Sequence, residues 1–423
     1  MRKEFVNIRV GQPEIAQPKS IARQLFHPLI VIAALGYFVD IYDLLLFSIV
    51  RVSSLRSLGL SGEELLESGI FLINIQMAGL VIGGVLWGIM GDKIGRLSVL
   101  FGSILLYSLA NIANGFASTL HQYAVCRIIA GIGLAGELGA GITLVAEILP
   151  KEIRGYGTTL VASIGLLGAV LAFFTAKTFD WQIAYWIGGG LGLCLLILRI
   201  SVAESGIFTK LKENRAVRRG NIGALFKKPL FKKYVRCILI GLPIWYVIGI
   251  LITFSPEFYA ATGTTNNADA GQAVMWCYIG LALGDLSSGL LSQYLRSRKK
   301  VLLIFIILTA VSITIYLSPF EKNLSLFYSI CFLLGYSIGY WALFVTIAAE
   351  QFGTNIRSTA ATTIPNFVRG AIIPLTFLFE IIRSRTNLIT SGWIVGAITI
   401  LIALSALYKL EETFGKDLDF IDT

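Results

Sequence analysis

The chain has 423 residues, of which 56% are hydrophobic and 14% charged, and its mean hydropathy is +0.77. A soluble globular domain carries about 25% charged residues, so this composition excludes an ordinary water-soluble protein and points to a helical membrane bundle. The 35 Lys/Arg against 25 Asp/Glu would suit a nucleic-acid partner, but the basic residues gather in short polar stretches between apolar ones, which assigns them to membrane topology.

Twelve apolar segments are predicted in chain order, at about 28–50, 68–90, 97–117, 123–147, 156–177, 183–203, 234–260, 271–293, 300–318, 325–350, 358–382 and 390–409. At about 1.5 Å per residue each is long enough to cross a bilayer as an α-helix. The expected fold class is all-α membrane protein. Its expected parts are a tail at 1–27, a six-helix bundle at 28–203, a basic loop at 204–233, a second six-helix bundle at 234–409 and a tail at 410–423. Basic residues crowd the 1–27 tail, the central loop and the Arg296–Lys300 turn, whereas the opposite side carries only Arg51, Arg56, Lys177, Lys322, Arg383 and Arg385. That bias places both termini in the cytoplasm. The central loop reads as a topology anchor against anionic lipid rather than a binding module.

The first segment holds Asp40 and Asp43, three residues apart and so on one helix face. A carboxylate at membrane depth is costly unless it faces a partner or a water-filled path. Two readings stay open: a structural acid satisfied by an arginine, or a proton or cation site. The fourth segment adds Arg127 and Glu137 within a glycine-rich run, Gly131, Gly133, Gly136, Gly139 and Gly141, which permits close helix contact. Counting rise from the outer ends puts Asp43 about 10 Å deep and Arg127 about 6 Å deep. Asp43 is therefore expected to meet Arg127, with Asp40 near Glu137. The expectation is that Asp43, gated by Arg127, carries a coupling proton and that Glu137 or Asp40 is a second titrating site. The competing reading is a permanent salt-bridge cluster.

In the eleventh segment, Asn366 and Arg369 lie midway along an apolar run. Arg369 either pairs with Glu350 or Asp285 or binds a substrate carboxylate in bidentate fashion. Tyr246, Tyr278, Tyr336, Tyr340 and Trp341 are candidates to line the same cavity. Aromatic boxes bind quaternary ammonium groups, although aromatics at helical spacing also serve packing. The five cysteines, Cys126, Cys194, Cys237, Cys277 and Cys331, sit in or beside apolar segments without metal-ligand spacing, so no disulfide and no metal site is expected. His27 and His121 lie at segment ends, and there is no nucleophile–base set or phosphate loop, so an enzyme and a cofactor are not expected.

A weak internal repeat links the halves. The fourth segment ends in AEILPKEIRG (146–155) and the tenth in AEQFGTNIRS (349–358). Between the second and third segments, Gly88, Asp92, Lys93, Gly95 and Arg96 fit the pattern G-x-x-x-D-[RK]-x-G-[RK]. This resembles the signature loop of the major facilitator superfamily. The fourth segment, with Arg127, Gly136-Glu137, Glu147, Pro150 and Arg154-Gly155, is similar to the metabolite:proton symporter family within it, as is Gly36…Asp40-Ile41-Tyr42-Asp43. The departures are Tyr37, Asp40 and Ile41 where that family has Asn, Glu and Trp. The resemblance implies two pseudo-symmetric six-helix bundles, with the first and fourth helices lining a central cavity. It also implies alternating access and a cytoplasmic latch made by Gly88, Asp92, Lys93, Gly95, Arg96, Glu147 and Arg154. The counterpart loop of the second half, Ser292–Lys300, lacks the acid, with Gln293 near its place, so a second latch is not expected.

The expected function is proton-coupled import of a small polar metabolite, an organic acid, amino acid or betaine-like zwitterion, by a monomer in a bacterial inner membrane. The alternative is a proton-driven efflux antiporter for a larger amphipathic compound such as a siderophore or drug. A transporter-like receptor would need a signalling extension, and the tail is too short to be a domain.

Overall fold

The computed structural model describes residues 27–94, 96–137, 139, 141, 149, 154–204, 228–262, 268–318, 323–353 and 356–415. Among them ten helices are long and apolar enough to cross a membrane, and Ser98–Asn114 and Leu120–Leu134 are shorter apolar helices. The described residues contain no strand. The expected all-α, twelve-crossing class is what the chain adopts.

The first half comprises α1 (Pro28–Ser57), α2 (Gly62–Ile94), α3 (Arg96–Asn114), α4 (Leu120–Leu134), α5 (Arg154–Leu166), α6 (Gly168–Thr178) and α7 (Trp181–Glu204). The second begins with α8 (Lys228–Ile240), α9 (Leu242–Tyr246), a π-helical stretch (Val247–Ile252) and α10 (Ser255–Ala260), which together make one crossing. It continues with α11 (Ala270–Leu295), α12 (Arg298–Leu317), α13 (Leu324–Ser337), α14 (Trp341–Glu350), α15 (Arg357–Gly370), α16 (Ile372–Arg383) and α17 (Leu388–Tyr408). Of the expected basic loop at 204–233, residues 205–227 lie outside the described residues, Glu204 ends α7 and Lys228 begins α8.

Several crossings expected as single helices are interrupted. The fifth breaks at Leu167, the eleventh at Ala371, and the tenth between Ser337 and Trp341. Interruptions free backbone groups that lipid cannot satisfy, so each must be repaired inside the bundle. At the tenth crossing the repair comes from α11, where Asp285 accepts the Ala342 N–H at 3.0 Å, placing a carboxylate on the N-terminus of α14. The approach is close because α11 and the α13–α14 joint meet glycine to glycine. A Cβ on Gly284 would lie 2.8 Å from the Gly339 Cα.

The halves meet where α2 packs on α15 and where α11 packs on α1, α5 and α6. Large apolar side chains face outward all round, among them Phe116, Ile197, Leu290, Phe377 and Leu401. Charged residues are inside: Asp40, Asp43, Arg51, Arg127, Glu137, Arg199, Asp285 and Arg369 are buried. An apolar exterior around a charged interior is the inverse of a soluble protein and fits a bundle in lipid.

Candidate functional site: a charged and aromatic cavity between the halves

A small cavity lies where the halves face each other. Its lining takes Tyr37 and Ile41 from α1, Trp245 from α9, Tyr278 from α11, Trp341 from α14 and Arg369 from α15, with aliphatic side chains filling the remainder. The interrupted crossings concentrate here. Trp341 is the first residue of α14, and Trp245 lies two residues before the π-helical stretch.

Arg369 is the centre of the cluster. Its Nη2 lies 4.0 Å from Oδ2 of Asp40, an ion pair that joins α1 of one half to α15 of the other. Both groups are buried, at 1% and 0% exposure. Nη1 donates to Oδ1 of Asn366 at 3.3 Å. Asn366 is itself held by donating to the carbonyls of Ala135 and Thr362, each at 2.9 Å, so it orients the guanidinium. The guanidinium carbon stands 5.8 Å from the Trp245 ring centre and 5.6 Å from that of Trp341, both within cation–π range. Trp341 in turn donates its Nε1–H to the Tyr37 hydroxyl across the half interface at 2.9 Å.

Several polar atoms here have no hydrogen-bond partner among the described residues: both carboxylate oxygens of Asp40, the Nε of Arg369 and the Nε1 of Trp245. Buried polar atoms are nearly always paired, so such a concentration marks a place built for chemistry rather than packing.

The other expected residues divide. Tyr278 and Trp341 line the cavity, as expected. Tyr246 does not: its hydroxyl donates to the Gly392 carbonyl at 2.5 Å and its ring packs on Gly396, facing α17. Tyr340 also turns away, donating to the Ile240 carbonyl at 3.2 Å. Neither remains a substrate-contact candidate, because helical phase directs both rings into neighbouring crossings.

Arg369 pairs with neither Glu350 nor Asp285. Glu350 accepts from Arg298 at 3.1 Å and from Thr413 at 2.7 Å at the end of the bundle where α17 finishes. Arg298 also reaches Ser292 at 2.8 Å. The second-half loop is thus tied to α14 by an Arg298–Glu350 ion pair within that half.

Glu137 lies near Asp40, as expected, but its own partner is Arg199 of α7, in a two-point ion pair. Gly36 of α1 lies against this pair, where any side chain would overlap both partners. Asp43 and Arg127 belong to one charged cluster with Asp40 and Asn111. No hydrogen bond joins Asp43 to Arg127, whose guanidinium instead lies 5.6 Å from the ring centres of both Phe47 and Tyr185.

Of the expected first-half latch, Gly88 is buried against Thr363 of α15. Gly95 and Glu147, and the side chains of Asp92, Lys93, Arg96 and Arg154, lie outside the described residues.

Sequence reasoning passed over two features. Arg199 is the partner of Glu137, and its signal was available as an arginine inside an apolar segment at comparable depth. At the end opposite Glu350, buried Arg51 binds Glu257 of the other half at 2.6 and 2.9 Å and lies 4.7 Å from the Phe254 ring centre. Beside it Arg383 bonds Glu63 across the halves at 2.6 Å. These pairs, with the Thr253–Ser48 hydrogen bond at 3.2 Å, close that end.

This architecture matches known proteins. The chain is 27% identical over 342 residues to a "Probable 4-methylmuconolactone transporter" of Cupriavidus pinatubonensis, covering 77% of this chain and 76% of the other. It is 26% identical to the niacin transporter NiaP of Acinetobacter baylyi, covering 79% and 82%. The fold superposes on the proton:xylose symporter XylE with a TM-score of 0.70 at 18% identity, covering 94% and 98%. The Major Facilitator Superfamily model matches residues 33–373. The chain is a multi-pass membrane protein that belongs to the Major Facilitator Superfamily, whose members are transporters and not enzymes.

Proposed function

We propose that this protein imports a small organic acid together with a proton, by alternating exposure of the cavity between its halves. The Asp40–Arg369 pair carries this reading. It spans the halves, is fully buried, and is loose on its acidic side, since Asp40 has no hydrogen bond among the described residues. A guanidinium that turns to an incoming carboxylate leaves Asp40 without its counter-charge. A buried carboxylate in that position is neutralised by binding a proton. Substrate anion and proton then load together, which is the differential binding that coupling requires.

Relative to the sequence expectation, the coupling proton moves from Asp43 to Asp40, because Asp40 is the acid in contact with the opposite half. Asp43, one turn on, serves as a second station with Arg127 beside it. Glu137 is held by Arg199 and supports the fold. The named substrates of the relatives, 4-methylmuconolactone and niacin, are small, which supports a small metabolite over a siderophore or a large drug. The excess of Lys and Arg in the loops on one side supports cytoplasmic termini in a bacterial inner membrane, and a cavity lined by one chain supports a monomer.

The test is uptake by purified protein in liposomes under an inward proton gradient, with labelled mono- and dicarboxylates, amino acids and betaine. Accumulation that collapses with a protonophore supports symport. Extrusion of a larger amphipath from inverted vesicles, with no uptake of any of these, overturns it.

A further inference from the structure

We infer that the cavity selects a planar-ring monocarboxylate, held by Arg369 and the indole N–H of Trp245. This deepens the proposed function and rests on the cavity being the transport site.

The cavity's polar atoms specify charge and number. Two buried N–H groups of residues that line this space, Nε of Arg369 and Nε1 of Trp245, have no acceptor among the described residues. Orphan donors call for a ligand that brings acceptors. Arg369 beside a second donor matches a carboxylate, which accepts strongly at both oxygens. The anion is single because the remaining wall offers nothing to a second one: Ile41, Leu166, Ile244, Ile248 and Leu281 are aliphatic. The same wall disfavours a sugar, whose several hydroxyls would lose their water partners without replacement.

The aromatic groups decide between the remaining acids. An aromatic box can hold a quaternary ammonium, but here the cation is already present. Arg369 occupies the faces of Trp245 and Trp341, so a betaine would set a second positive charge beside it. What remains is flat apolar surface from Tyr37 and Tyr278, with Tyr37 fixed by the hydrogen bond it accepts from Trp341. A planar ring stacks on such surface without loss of rotamer freedom.

The test is calorimetric titration of the full-length protein in detergent with benzoate, nicotinate, nicotinamide, cyclohexanecarboxylate, succinate and glycine betaine. Benzoate or nicotinate should bind, and the neutral amide, the dicarboxylate and the betaine should bind at least about tenfold more weakly, the loss expected for a missing charged hydrogen bond. Trp245→Phe keeps the ring and removes the donor, and should weaken the ring acids about two- to tenfold. Arg369→Ala combined with Asp40→Asn removes both charges together, so the fold keeps no orphan ion, and should abolish their binding. The inference is overturned if succinate or betaine binds as tightly as benzoate, if cyclohexanecarboxylate matches benzoate, or if Trp245→Phe changes nothing. The same panel in liposomes separates this inference from the one beneath it. Ring acids that bind but do not accumulate with the proton gradient sink symport and leave the site assignment standing. Gradient-driven uptake of betaine or succinate alone does the reverse.

Discussion

Two buried arginine–carboxylate pairs lie close together in this protein, and they are built differently. Arg199 and Glu137 belong to the same half and meet at two points, with both oxygens of the acid engaged. Arg369 and Asp40 belong to opposite halves, meet at one point 4.0 Å apart, and leave the acid without a hydrogen bond among the described residues. A pair inside one half travels with it as a rigid body and has no reason to open during alternating access. A pair between halves must part or re-form whenever the halves rock. The difference teaches where to look for coupling: at the ion pair that is incomplete and shared, not at the one that is closed.

The largest expected effect follows from removing the shared pair. Asp40→Asn should abolish proton-driven accumulation while leaving substrate exchange across the membrane, because the substrate site survives and the proton site does not. Arg369→Ala should abolish both. Counterflow beside gradient-driven uptake in liposomes reads the two separately. An Asp40→Asn protein that still concentrates substrate breaks the comparison and returns the proton to Asp43. Asp43→Asn is the companion variant, and full accumulation by it would exclude Asp43 from the path.

Next comes the closed pair, where the loss should be in stability. Removing one member of a buried pair strands the other, at a cost of about 3–5 kcal/mol. Glu137→Gln should therefore lower the melting temperature and yield of the detergent-solubilised protein, and Arg199→Met on top should recover much of the loss. If Glu137→Gln is instead stable and shifts the pH dependence of uptake, Glu137 titrates and the two pairs are alike after all.

Much of this was readable before any coordinates. Length and hydropathy set twelve crossings, since a span of about 20 apolar residues has no cheaper place than a bilayer. The fourth-segment and loop motifs pointed to the right superfamily. Asp40 and Arg369 were each singled out as intramembrane charges. Their contact was not foreseen, because rise per residue gives depth but not which face of α1 looks toward the second half. Tyr246 and Tyr340 were misplaced for the same reason. Trp245 carried no signal at all: an indole between a proline-containing turn and an aliphatic run reads as packing. The interruption before Trp341 depends on Asp285 arriving from another helix, which local propensity does not encode. The Arg298–Glu350 ion pair has no signal in the loop itself, because its acid comes from α14.

A smaller effect is expected at the closed end of the half interface. Arg51 is fully buried and Glu257 is 24% exposed. Glu257→Gln weakens a charged hydrogen bond worth about 1.5–3 kcal/mol, which raises the population opened at that end about tenfold or more. Labelling of Ser48→Cys by an impermeant maleimide, applied from that side, should accelerate accordingly. Unchanged labelling would mean that Arg383–Glu63 or the surrounding packing holds this end without Arg51.

The smallest effect is at the other end, where the segment after α17 is tied down. Glu412 accepts from the Ser297 hydroxyl at 2.5 Å and from the backbone N–H groups of Arg298, Phe414 and Lys299 at 2.9, 3.0 and 3.2 Å. Partial burial works against its ionisation, yet these donors outweigh it and hold the carboxyl down at about 2, from an ordinary 4.5. A carboxyl lowered by folding stabilises the fold fully above its ordinary range and loses that contribution as pH falls from 4.5 toward 2. Glu412→Gln should thus melt slightly earlier than the native chain by the same margin from pH 8 down to about 5, and the margin should close as the pH drops further. Glu412 stands at the surface, where screening keeps such contributions small. A margin that varies between pH 6 and 8 would show that a different group carries the contact. The contrast with Asp40 is then complete, since Glu412 has donors enough to remain charged through any physiological swing, and Asp40 has one arginine that it must share.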